Sequence, residues 1–116
     1  MKKFLAIYLG TPAAMESFRH LPEPERKARE AQGIAAWHAW ADKNKAAIVE
    51  MGSPLGRSKR IGKDGITDVR NAMGAWTVVQ AESQEAAAKL FLDHPHFSIL
   101  PGDAVEVMEC LQIPGM

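Results

Sequence analysis

Apolar side chains alternate sides from Lys3 to Leu9: Phe4, Ala6 and Tyr8 point one way, Leu5, Ile7 and Leu9 the other. A period of two predicts a strand, and apolar groups on both sides predict that both faces are covered. Gly10 to Glu23, with two prolines and mixed polarity, reads as a loop or a short irregular helix. The period then lengthens. Pro24 suits the first turn of a helix, and Glu23 and Glu25 complement its dipole. Trp37, Ala41, Asn44, Ile48 and Met51 form a stripe at helical spacing, with Trp40 one turn from Trp37, so the helix is expected to run to about Met51. Only Gly33 interrupts it. A glycine in mid-helix costs about 1 kcal/mol relative to alanine, so Gly33 marks close packing rather than a break.

The second half is more punctuated. Gly52-Ser53-Pro54-Leu55-Gly56 is turn-rich and carries a short second strand at its edge. The basic stretch from Gly56 to Asp68, with Arg57, Lys59, Arg60 and Lys63, reads as a hairpin or mobile loop. A further strand spans Ala75 to Ala81. Ser83 is a natural N-cap for a helix whose apolar face is Ala86, Ala87, Leu90 and Phe91. In the last strand, Ala104 to about Leu111, Val105, Val107 and Leu111 share a face with Glu109, while Met108 and Cys110 lie opposite with Glu106. The order predicts one domain over residues 1–116: an α+β, ferredoxin-like βαββαβ antiparallel sheet with two helices on one face. Strands apolar on both sides then need cover on the other face, which predicts a homodimer, a dimeric α/β barrel.

Composition narrows the partners. Hydrophobic content of 47% and charged content of 24% belong to an ordinary soluble domain. Fourteen basic and fourteen acidic residues cancel, leaving no field to attract nucleic acid or an anionic membrane. No apolar run approaches the roughly 20 residues of a membrane span. Phe4 to Leu9 is too short for a signal-peptide core, so a cytoplasmic setting is expected. The single cysteine excludes an internal disulfide or a multi-cysteine zinc site, and its place in a strand pattern predicts a packed, inert Cys110 thiol.

The richest chemistry is in Asp93-His94-Pro95-His96-Phe97. Pro95 ends the preceding helix and pushes His94 out of the α region, so these side chains stand where the chain changes direction. Asp93 as a general acid or base needs burial or a neighbour to raise its pKa; its plainer reading is a turn residue. His94 and His96 suit a helix C-terminus as cations, or either is a candidate catalytic group working in acid–base chemistry with Asp93. The His-x-His spacing also occurs in metal sites, but the proline between limits how both rings turn to one ion, and no metal or other cofactor is expected. His38 borders the tryptophan stripe, either as a proton-transfer group or as an imidazole bonded to a neighbour such as Asp42. Trp37 and Trp40 are core residues or, with Pro54, walls of a ligand pocket. Gly56 to Lys63 fails as a phosphate loop, because five residues separate Gly56 from Gly62-Lys63 and Asp64 replaces the Ser or Thr.

Trp37-His38-Ala39-Trp40-Ala41, Gly52-Ser53-Pro54-Leu55-Gly56, Trp76 to Ser83, and Asp93-His94-Pro95-His96 followed by Val105 to Glu109 resemble, in order and spacing, the YCII-related (DGPF-type) family. The resemblance covers most of the chain and implies a dimeric ferredoxin-like α/β barrel. It also implies an acid–base pair of an aspartate, carried onto Asp93 although His94 intervenes before Pro95, and a first-helix histidine. The family position for that histidine falls near Ala35, three residues before His38. One relative in that family acts as a dehydrochlorinase in aromatic degradation. Two functions are therefore expected to compete. One is a cofactor-free enzyme performing elimination or isomerisation on a small organic molecule, with Asp93 paired to His96 or His38. The other is a non-catalytic dimeric module that binds a small molecule or another protein.

Overall fold

The computed structural model describes residues 1–116, apart from the side chain of Ser98. Strand β1 (Lys2–Leu9) buries Phe4, Ala6 and Tyr8 while its alternate residues stay partly exposed, as a period of two requires. It lies between β5 (Met73–Ala81) and β6 (Ala104–Glu109), antiparallel to both, and β2 (Ile48–Glu50) completes the sheet beyond β5. The order β2-β5-β1-β6 is the ferredoxin-like arrangement predicted from the alternation of elements.

The long helix α2 (Glu23–Lys43) and α3 (Gln84–Lys89) bring Trp40, Ala87 and Phe91 onto Phe4, Ala6 and Val79, and these residues form the core. Gly33 is buried in α2 for the expected reason: a Cβ there would stand 2.5 Å from Leu100 Cδ2. Ser83 caps α3, its hydroxyl accepting from the Ala86 N–H. The opposite sheet face holds Leu5, Ile7, Trp76, Val78 and Met108, cross-strand neighbours by register, and among the described residues no helix covers it.

One open alternative is decided and three expectations need correction. Gly10 to Glu23, read as a loop or a short irregular helix, contains the helix α1 (Pro12–Arg19), because the Thr11 hydroxyl accepts from the Ala14 N–H and Pro12 opens the first turn. Helix α2 stops at Lys43 rather than near Met51. Asn44 caps it, donating to the Trp40 carbonyl through both its backbone N–H and its amide. Ile48 consequently sits opposite Val79 in β2 instead of extending the helical stripe. The turn after β2 needs Gly52, whose φ is 74° and where an added Cβ would overlap the Trp76 carbonyl. Cys110 is exposed rather than packed, because β6 ends one residue before it.

The basic stretch is a hairpin of β3 (Ser58–Gly62) and β4 (Gly65–Val69), a separate two-stranded sheet. Ile61 and Ile66 face each other near its tip, 75% and 68% exposed. Among the described residues no helix is long and apolar enough to cross a membrane.

Candidate functional site

Pro95 does what its ring dictates, and then does more. It holds His94 in an extended conformation (φ −66°, ψ 139°) and opens a new short helix, α4 (Pro95–Ser98). His94 is therefore an N-cap: its Nδ1 accepts the His96 backbone N–H at 3.0 Å. This corrects the reading of His94 as a cation at a helix C-terminus, and it also takes the ring out of the acid–base role expected of it, because Nδ1 is used in the cap and the ring does not line the cavity. Its ring is 1% exposed and enclosed by Trp37, Trp40, Tyr8 and Phe91, with the two indole centroids 4.2 and 4.6 Å away. Burial, reinforced by nearby His96, pushes its pKa down to about 3, so the ring is neutral at physiological pH. With Nδ1 accepting, the proton is on Nε2. That nitrogen has no hydrogen-bond partner among the described residues.

His96 faces a different environment. Its Nε2 lies 2.8 Å from the Leu9 carbonyl and 3.1 Å from the Ala104 carbonyl. Both are acceptors, so Nε2 carries the proton and a neutral ring keeps its lone pair on Nδ1. Gly102 closes over the ring so tightly that an added Cβ would overlap it. His96 is thus pinned where β1 ends and β6 begins, on the wall of a cavity of about 450 Å³.

That cavity lies between the sheet and the first two helices. Helix α2 contributes Ile34, Trp37 and His38, and α1 contributes Met15. The turn after β2 supplies Gly52, Ser53 and Pro54, the last bridged to Ala75 of β5. Tyr8, Leu100 and Pro101 close the inner side. The walls are overwhelmingly apolar, and the ionisable groups lining the cavity are Tyr8, His38 and His96. Tyr8 is committed elsewhere. Thr77 Oγ1 donates its proton to the Met51 carbonyl at 3.0 Å, so the Tyr8 hydroxyl donates to Thr77, also at 3.0 Å. Burial, partly offset by that hydrogen bond, raises the Tyr8 pKa to about 12.

The structure brings only some of the expected residues together. His96, His38, Trp37 and Pro54 line the cavity. Trp40 does not: its indole is buried in the core and donates to the Leu90 carbonyl at 2.8 Å, which corrects its expected place in a ligand wall. Asp93 is exposed and borders a shallow depression on the other side of α2, with Lys43 and Pro95. Among the described residues it makes no hydrogen bond or ion pair with an imidazole, so the expected Asp93–His96 and Asp93–His38 contacts are absent from this arrangement. Among the described residues no three His, Cys, Asp or Glu side chains gather where they would hold a metal. Tyr8, Met15 and Leu100 were missed as cavity residues. Tyr8 left one signal, a hydroxyl on the buried side of β1; nothing marks the other two.

Comparison with known proteins bears on the fold. No family model matches the chain, and no curated protein matches it. Among solved structures, the chain is similar to 5-chloro-2-hydroxyhydroquinone dehydrochlorinase (TftG) from Burkholderia phenoliruptrix, in complex with 2,5-dihydroxybenzoquinone. The TM-score is 0.53 at 19% identity, over 90% of this chain and 89% of the other. At that identity the likeness establishes a shared α+β ferredoxin-like fold, the architecture expected from the YCII-like resemblance.

Proposed function

We propose that the cavity takes a small, flat organic molecule of the quinone or hydroxyquinol class and that His38 and His96 move its protons without a cofactor. One observation carries this reading: an apolar cavity of about 450 Å³ whose ionisable lining groups among the described residues, apart from the hydrogen-bonded Tyr8, are the imidazoles of His38 and His96. Its volume is in the usual range for small-molecule sites, and the Trp37 and Tyr8 rings offer flat surfaces to a ring. The neighbour's bound dihydroxybenzoquinone is of this class and supports the choice. In a dehydrochlorination, one imidazole takes a hydroxyl proton while the other delivers a proton to the ring carbon that bears chlorine, giving the keto tautomer; loss of a second hydroxyl proton then expels chloride with its bonding electrons and leaves the quinone. Histidine suits both tasks near neutrality. Asp93, expected as the acid or base, has no part in this reading. Membership of the YCII-related family and a homodimer joined through the bare sheet face belong to the same proposal, supported by the fold and by Leu5, Ile7, Trp76 and Val78 on that face. A cytoplasmic setting agrees with an unbridged, exposed cysteine.

The test is calorimetric titration with 2,5-dihydroxybenzoquinone, followed by a chloride-release assay on chlorinated hydroxyquinols. Saturable binding is expected, with turnover at least 10²-fold lower in His38→Ala or His96→Gln. No saturable heat with any planar quinone or phenol at millimolar concentration would sink the ligand class. Binding without turnover would select the second reading, a non-catalytic binding module. A specific observation favours that alternative: two carbonyls tie down His96 Nε2, leaving the ring a single nitrogen for chemistry.

A further inference from the structure

For its size this chain is extended. Its radius of gyration is 16.0 Å, where a compact domain of this length has about 13 Å. Its accessible surface is 8442 Å², where a folded monomer of 12.7 kDa exposes about 6,200 Å². The principal extents, 53 × 45 × 18 Å, describe a slab one sheet and one helix layer thick. Two features account for this shape: the uncovered sheet face and the β3–β4 hairpin. A lone two-stranded hairpin is marginal in water, and this one presents the Ile61–Ile66 pair almost fully to solvent.

We infer that the β3–β4 hairpin is an arm that clasps a second copy of this chain, seating Ile61 and Ile66 on the partner beside the apposed sheet faces. The inference rests on the homodimer proposed above and adds a second contact to it. Area is the first argument. Strands of this length at about 4.8 Å spacing give the bare face roughly 500 Å² in flat projection. A standard interface takes about 800 Å² from each partner. In this measure the sheet face alone gives a minimal interface, and the arm, which leads into β5 at Met73, adds the exposed Ile61–Ile66 pair. Charge is the second. Arg57, Arg60 and Lys63 have no ion pair among the described residues, whereas Lys59 is paired with Asp68. Glu106, opposite Ile7 in the register and so on the bare face, is also without an ion pair among them. Cations on one copy's arm thus complement an acid on the other's face. The arrangement is self-complementary, as a two-fold dimer requires.

The experiment is sedimentation equilibrium of the full chain and of Ile61→Asp/Ile66→Asp, together with amide hydrogen exchange of the wild type across its dissociation range. The hairpin lies outside the core, so the double variant should keep its circular dichroism while its dimer dissociation constant rises at least 30-fold. Hairpin amides should be protected in the wild-type dimer and lose protection on dilution. A wild type that stays monomeric at millimolar concentration would overturn both the dimer and the arm. A wild-type dimer with unprotected hairpin amides, or a double variant that dimerises as tightly as wild type, would overturn the arm alone and return Ile61 and Ile66 to a different partner.

Discussion

The helix-covered face of the sheet holds two regions that share walls and differ in nearly everything else. One is the sealed aromatic cluster around His94; the other is the cavity next to it, with Tyr8 and Trp37 standing between them. In the cluster an imidazole is stripped of water, neutral and structural, fixing the start of α4. In the cavity an imidazole two residues later is held by its Nε2–H and stands on the wall with Nδ1 outside those hydrogen bonds. The difference shows that residue type and proximity in sequence do not assign a role. Pro95 sends the two rings in different directions, and burial among aromatic rings is what keeps His94 uncharged.

The largest effect should come from acid. His94 titrates at about 3 in the fold and near 6.5 in the unfolded chain, so the unfolded chain takes up the proton first. The stability that depends on its neutrality is complete above pH 6.5 and is lost as pH falls toward 3, by about 1.4 kcal/mol per pH unit and about 4 to 5 kcal/mol in all. Urea melts of wild type and His94→Phe between pH 7 and 3.5 should show the steeper decline in wild type; parallel curves would place the acid sensitivity elsewhere. Next in size is Gly102→Ala, which drives a methyl group into the His96 ring. A loss of about 1 to 3 kcal/mol is expected, with His96 displaced from the cavity wall. Unchanged thermal melts would mean the loop yields freely.

Smaller still, Tyr8→Phe removes the donor to Thr77 and should cost about 1 kcal/mol, yet leave ligand affinity intact, because that hydroxyl already donates within the protein. Weakened binding would make Tyr8 a ligand contact and blur the line between the two regions. Last, His38→Ala should change stability by less than about 0.5 kcal/mol, since the residue is exposed, while lowering turnover if the cavity is catalytic.

Much of the fold was legible in the sequence because periodicity reports burial directly. The alternation of β1, the Ser83 cap and the apolar face of α3 each follow from one local rule, and Gly33 disclosed close packing by its cost alone, the neighbour being Leu100 in the structure. The end of α2 was not legible, because Ile48 continues the helical stripe while its burial is against Val79 of another strand. The site was half legible. His96, His38, Trp37 and Pro54 could be gathered from pattern and resemblance, but the direction of Asp93 depends on the path of the chain between α3 and α4. The capping role of His94 likewise required knowing that a second helix starts at Pro95. Short-range rules reach as far as the proline and no further.

The packing of Trp37 and Trp40 against His94 has an optical consequence. A protonated imidazole quenches indole emission by accepting an electron from the excited ring, whereas a neutral one does so poorly. Both indole centroids lie within 5 Å of the His94 ring, so the molecule carries its own proton reporter at the centre of its core. As long as emission stays high, that ring is dry and uncharged.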